Sequence, residues 1–94
     1  MRLNLNKSLL DLSGKEFING NIGKIVANSL ASTPDKKHYL KFFGWAQKLY
    51  DGETIDIDKA DLKLLKEFIE NNPDFTVLLV AQTMELFEEI PTEQ

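Results

Sequence analysis

Tyr39-Leu40-Lys41-Phe42-Phe43-Gly44-Trp45-Ala46-Gln47-Lys48-Leu49-Tyr50 holds five of the chain's nine aromatic residues in twelve positions. Its apolar residues recur at helical spacing. Tyr39, Phe42, Phe43, Ala46, Leu49 and Tyr50 share one wide face, with Trp45 at its rim beside His38. Lys37, Lys41 and Lys48 lie opposite. Upstream, Thr33-Pro34-Asp35 reads as a helix start, because proline at the first helical position forfeits no hydrogen bond and aspartate suits the positive end of the dipole. Downstream, Asp51-Gly52 supplies a left-handed stop. The expectation is a helix over 34–50 with its ring-bearing side buried.

Working outward, Arg2-Leu3-Asn4-Leu5 alternates with period two and predicts a short strand. Leu9–Leu12 and Lys15–Ile18 predict two more around a Ser13-Gly14 turn. Ile22, Ile25, Val26 and Leu30 define a helix over 21–31 capped by Asn21. Thr54-Ile55-Asp56-Ile57 returns to period two. Asp58 and Asp61 then form a capping-box pattern ahead of a helix over 59–71, with Ile57 and Leu62 in hydrophobic-staple positions. Asn72-Pro73-Asp74 repeats the proline start and predicts a last helix over 73–89. Its Val77–Ala81 run is apolar all round and should be central to the core. Pro91 should end it, with residues 92–94 fraying.

These elements predict an α+β fold over a single domain, 1–94. A small N-terminal antiparallel sheet or hairpin in 1–20, joined by 54–57, packs against four helices in 21–90. The expected core includes Ile25, Leu30, Phe42, Phe43, Leu49, Leu65, Phe68, Leu78 and Leu79.

Composition narrows the function. Ninety-four residues suffice for one compact core. Without cysteine there is no disulfide framework and no thiolate metal site. No continuous apolar stretch opens the chain, so no signal peptide is expected, and no run is long enough for a membrane span. Net charge is −4. Residues 1–48 carry +5 and residues 49–94 carry −9, so the two ends complement each other or face charged partners. An acidic chain repels a polyanion at long range.

No chemical motif survives inspection. His38 is the single histidine, with no cysteine to activate and no serine in a nucleophile elbow. One histidine cannot furnish the usual nitrogen ligands of zinc. Neither Asp51 nor Asp56 opens an EF-hand loop with oxygen donors and glycine in register. Gly20-Asn21-Ile22-Gly23-Lys24-Ile25 lacks the spacing of a phosphate-binding loop, so Gly23 is expected to permit close helix packing instead. The carboxylate pairs at Asp56/Asp58 and Glu88/Glu89 sit at a cap and at a terminus, where they simply ionise. No catalytic residue, cofactor or metal is expected.

What remains is an interaction surface. Trp45 and Tyr50 are the expected anchors for a protein partner, so a double alanine variant should stay folded yet lose that partner. Glu85, Glu88 and Glu89 add negative charge at the end of the last helix, suited to a basic partner. A homo-oligomer is a further expectation. Nucleic-acid binding through Lys37, Lys41 and Lys48 is the runner-up, ahead of the homo-oligomer, although that face offers only Gln47 for base edges.

Four segments carry a resemblance. They are Asp11-Leu12-Ser13-Gly14-Lys15-Glu16, Ile22 to Leu30, Trp45 to Glu53, and Ile55 to Leu62. In their order the chain resembles short phage and prophage proteins of unassigned function. The resemblance implies a phage-associated origin and residence in bacterial host cytoplasm. A non-catalytic adaptor, host-directed inhibitor or assembly component would fit it. No catalytic residue comes with it.

Overall fold

The computed structural model describes residues 1–89. The stop assigned to Pro91 and the fraying assigned to 92–94 lie outside them. Four helices and two small antiparallel sheets form an α+β fold, as the alternating and helical periods predict.

Strand β1 (Arg2–Leu3) pairs with β4 (Ile55–Asp56), placing Arg2 opposite Asp56 and Leu3 opposite Ile55. The ladder continues through Met1 and Ile57. The Met1 ammonium donates to the Ile57 carbonyl, and the Ile57 amide donates to the Met1 carbonyl, both at 2.8 Å. Leu3, Leu5, Ile55 and Ile57 point inward, while Asn4, Asn6, Thr54 and Asp56 face water. Arg2 and Asp56 are 3.6 Å apart but both exposed, so screening leaves their pairing worth little.

Strands β2 (Ser8–Leu10) and β3 (Glu16–Asn21) make a separate hairpin. The expected single N-terminal sheet is therefore two sheets. The physical reason is that Leu3 and Leu5 need the buried face of Ile55 and Ile57, which the hairpin does not offer. Asp11 organises the hairpin turn. Its carboxylate accepts from the Ser13 amide, the Ser13 hydroxyl and the Lys15 amide. These bonds, that of the Ser13 hydroxyl foremost, hold its pKa below the ordinary 3.8. Between Ser8 and Leu10 the partner strand bulges, with Asn19 in a left-handed conformation at φ 58°. On the outer edge of β2 the Gln82 side chain acts as a surrogate strand. Its amide oxygen accepts from the Leu10 amide at 2.9 Å, and its amide nitrogen donates to the Leu10 carbonyl at 2.6 Å. An edge that would otherwise be open is thereby satisfied.

Helix α1 (Ile22–Ser32) starts where expected, with the Asn21 side chain accepting from the Lys24 amide at 3.0 Å. Gly23 is buried at this junction. A Cβ there would lie 3.0 Å from the Leu49 carbonyl oxygen and 3.1 Å from that of Leu5, so any larger residue would push these two backbone segments apart by a few tenths of an ångström.

Helix α2 spans Tyr39–Tyr50 and not 34–50. Thr33 caps the end of α1 instead of opening α2. The Thr33 hydroxyl then takes the Asp35 amide at 3.4 Å, and the Asp35 carboxylate takes the Lys37 amide at 3.0 Å. Such local side-chain bonds offer the backbone an alternative to a helical turn. The stop is as predicted. Gly52 adopts φ 77°, its amide donates to Leu49, and the Glu53 amide donates to Lys48, which together make a Schellman motif.

Helix α3 (Lys59–Glu70) carries the full capping box. The Asp58 carboxylate accepts from the Asp61 amide at 2.7 Å, and the Asp61 carboxylate accepts from the Asp58 amide at 3.3 Å. Asp61 also receives the Lys41 ammonium from α2. The Lys41 hydrogen bond, helped by that of Asp58, holds the Asp61 carboxyl below its ordinary value of 3.8. A carboxylate with a depressed folded pKa contributes stability above the unfolded value and loses it as pH falls through the folded value. Asp61→Asn is therefore expected to lower the melting temperature at neutral pH. It should also flatten the loss of stability below about pH 4, read from thermal melts across an acid series.

Helix α4 spans Val77–Glu88, not 73–89. Thr76 is its cap, accepting from the Leu79 amide at 3.2 Å. Asn72-Pro73-Asp74 forms a turn because Asn72 is engaged elsewhere. Its side chain accepts from the Asp74 amide and donates to the Ser29 hydroxyl at 2.6 Å. The run from Val77 to Ala81 is not apolar core all round. Val77 is 87% exposed, Ala81 is exposed, Leu78 and Val80 are half-buried, and only Leu79 is buried. With the start set at Thr76, one face of the helix is left to water.

The core gathers Leu3 and Leu5, Ile22, Val26 and Leu30, then Phe42, Trp45 and Leu49, with Ile55, Leu65, Ile69 and Phe87. Thr83 is its one buried polar residue among those described, and its hydroxyl donates to the Leu79 carbonyl. Of the expected core, Leu30, Phe42, Leu49, Leu65 and Leu79 are buried, and Ile25, Phe68 and Leu78 are half-buried. Phe43 is corrected: it is 58% exposed.

Candidate interaction surface

Helix α2 packs along α1 and buries Phe42, Trp45, Ala46 and Leu49. That choice of face exchanges two expected roles. Trp45 is only 8% exposed and stacks near Phe42 at 5.9 Å, so it is a core residue and presents no anchor. Phe43 takes its place on the outside. Tyr39, Phe43 and Tyr50 form an outward stripe, with Leu40 beside it. Tyr50 is 48% exposed, and the Lys24 ammonium lies 5.1 Å from its ring centroid. Sequence reasoning missed Phe43, although the 4-3-4 spacing of Tyr39, Phe43, Ala46 and Tyr50 was a readable seam.

Beside the stripe runs a shallow groove of about 350 Å³ between α1 and α2. Ala27, Ala31 and Ala46 line it with the Phe43 and Tyr50 side chains, and Asn28, Gln47 and Asp51 supply polar groups. Small side chains let a partner approach closely, and the rings stand as walls.

The remaining sequence candidates do not join this surface. Glu85, Glu88 and Glu89 are exposed at the end of α4, and Glu85 and Glu89 border a separate hollow against the hairpin with Lys7 and Leu12. The lysine stripe is broken up. Lys41 is paired with Asp61, which raises its pKa. Lys37 precedes α2 and lines a different cleft with His38. Lys48 stands alone in the last turn of α2.

That second cleft, about 660 Å³, lies where α1 and α3 end. His38 lines it, 5.9 Å from the Phe42 ring. Among the described residues no side-chain hydrogen bond joins His38 to a carboxylate or hydroxyl, and no group of three or more histidine, aspartate or glutamate residues could hold a metal ion. No described helix is long and apolar enough to cross a membrane. No family model, curated protein or solved structure matches this chain.

Proposed function

We propose that this protein is a non-catalytic interaction module that docks an amphipathic helix of another protein on the outer face of α2. The observation that carries this reading is the exposed seam of Tyr39, Phe43 and Tyr50 beside an alanine-floored groove. Rings spaced four and seven apart match the ridge of a second helix whose apolar side chains repeat at heptad spacing. Large exposed aromatics on a rigid helix are effective anchors because few rotamers are lost on binding.

Area argues for a weak, transient contact over a stable self-pair. The seam is about 16 Å long and one helix wide, about 10 Å. Its footprint is therefore about 160 Å², short of the roughly 800 Å² per partner of a standard stable interface. The resemblance to short phage proteins supports a phage-borne adaptor, inhibitor or assembly component acting in bacterial cytoplasm.

Site-specific photocrosslinking tests the docking face. A benzophenone amino acid replaces Phe43 in one protein and Lys59, exposed at the start of α3, in a control. Both are irradiated in the cells that encode the chain. The expected result is an adduct from position 43 alone, mapped by mass spectrometry to a helix with apolar residues at alternating three- and four-residue spacing. Adducts only to the same chain would replace this reading with a homo-oligomer. No adduct, or equal adducts from both positions, would remove α2 as the docking face.

A further inference from the structure

We infer that the cleft at the ends of α1 and α3 binds a small organic cation, a guanidinium or alkylammonium carried on an apolar body. This reading concerns a different face from the α2 seam and does not depend on it.

The cleft is about 660 Å³, within the range of small-ligand sites. Phe68 and His38, both half-buried, line one wall, with the buried Phe42 ring 5.2 Å from Phe68 and 5.9 Å from His38. Ring faces carry negative quadrupole density and attract cations. Two helices terminate here. The last turns of α1, ending at Ser32, and of α3, ending at Glu70, contain no basic residue, so neither set of terminal carbonyls is compensated from its own helix. Around the opening stand Asp35, Glu67 and Asp74. None of the three forms a salt bridge among the described residues. Lys37 is the one lysine in the lining, so the three carboxylates leave the cleft net negative.

Each component selects against other ligands. An anion would meet three carboxylates and two negative helix ends. A compact metal ion would find no cluster of three donors among the described residues. A planar or alkyl cation meets all the requirements, because its body lies on the rings while its charge reaches the carbonyls and carboxylates.

The test is titration of the isotope-labelled protein with benzamidine and with neutral, isosteric benzamide, followed by amide chemical shifts. Benzamidine is expected to give saturable shifts confined to residues 29–42 and 64–74, with benzamide at least about tenfold weaker. The double variant Glu67→Gln, Asp74→Asn changes exposed side chains and should weaken benzamidine about tenfold at an unchanged melting temperature. If that variant unfolds, the benzamidine–benzamide comparison still decides. Agmatine and a blocked Gly-Arg-Gly peptide then separate the sources of the cation. Tighter peptide binding indicates an arginine side chain of a protein, and tighter agmatine binding indicates a free amine. Equal binding of benzamide, shifts elsewhere, or no saturation up to about 10 mM would overturn the assignment.

Discussion

Trp45→Ala is expected to lower the unfolding free energy by roughly 3–5 kcal/mol, the usual effect of deleting a buried aromatic. The indole is 8% exposed and packs near Phe42, which in turn meets Phe68 of α3 edge to face. Removing it empties the contact between α2 and the rest of the core, and surrounding side chains relax only partly into the space. A domain of this size has about 5–10 kcal/mol in total, so the variant should be substantially unfolded in mild urea. Urea melts followed by far-UV circular dichroism give the answer. A loss below about 1 kcal/mol would mean that the ring faces solvent. The same physics disqualifies the double alanine variant of Trp45 and Tyr50 as a probe of binding, since it would lose structure along with any partner. Phe43 is the position that separates the two effects.

Leu5→Ala should cost about 2–5 kcal/mol, a large effect for a residue five positions from the start of the chain. Leu5 is fully buried. Its carbonyl accepts from the Lys7 amide at 2.8 Å and the Gly23 amide at 2.9 Å, so the segment after β1 is tied to the first turn of α1. Truncation to alanine leaves a cavity where β1, α1 and α2 converge. Asn4→Ala is the control. Its side chain reaches the Gly52 carbonyl and the Thr54 hydroxyl, at 3.2 and 3.1 Å, in exposed positions, and such bonds contribute only about 0.5–1.5 kcal/mol. Chemical denaturation of both variants should show the leucine dominating. Equal losses would mean that this segment is held by its polar bonds alone.

Both results bear on the same question of interior and surface. The capping box of Asp58 and Asp61, the Asn21 cap, the Gly52 stop and the close approach at Gly23 were legible because each is a local event. The residues that satisfy or crowd a chain end are neighbours in sequence, or the glycine itself signals the need. Period-two alternation likewise read 2–5 and 54–57 as strands, and folding turned Leu3, Leu5, Ile55 and Ile57 inward. The proline starts failed for a matching reason. Thr33 and Asn72 can cap a helix, but each can also spend its side chain in a turn, and distant or upstream demands made that choice: Ser29 for Asn72, the end of α1 for Thr33.

The candidate surface was half legible. The sequence by itself determined that residues 39–50 form a helix carrying five aromatic rings, because periodicity and composition are properties of the chain alone. Tertiary structure alone decided which rings stay outside. A helix with apolar residues around more than half its circumference can present several faces, and burial of the face carrying Phe42, Trp45, Ala46 and Leu49 left Phe43 in water. Likewise only folding brought the ends of α1 and α3 together, since helix-end charge acts over about one turn and its neighbours across the cleft lie more than thirty residues apart.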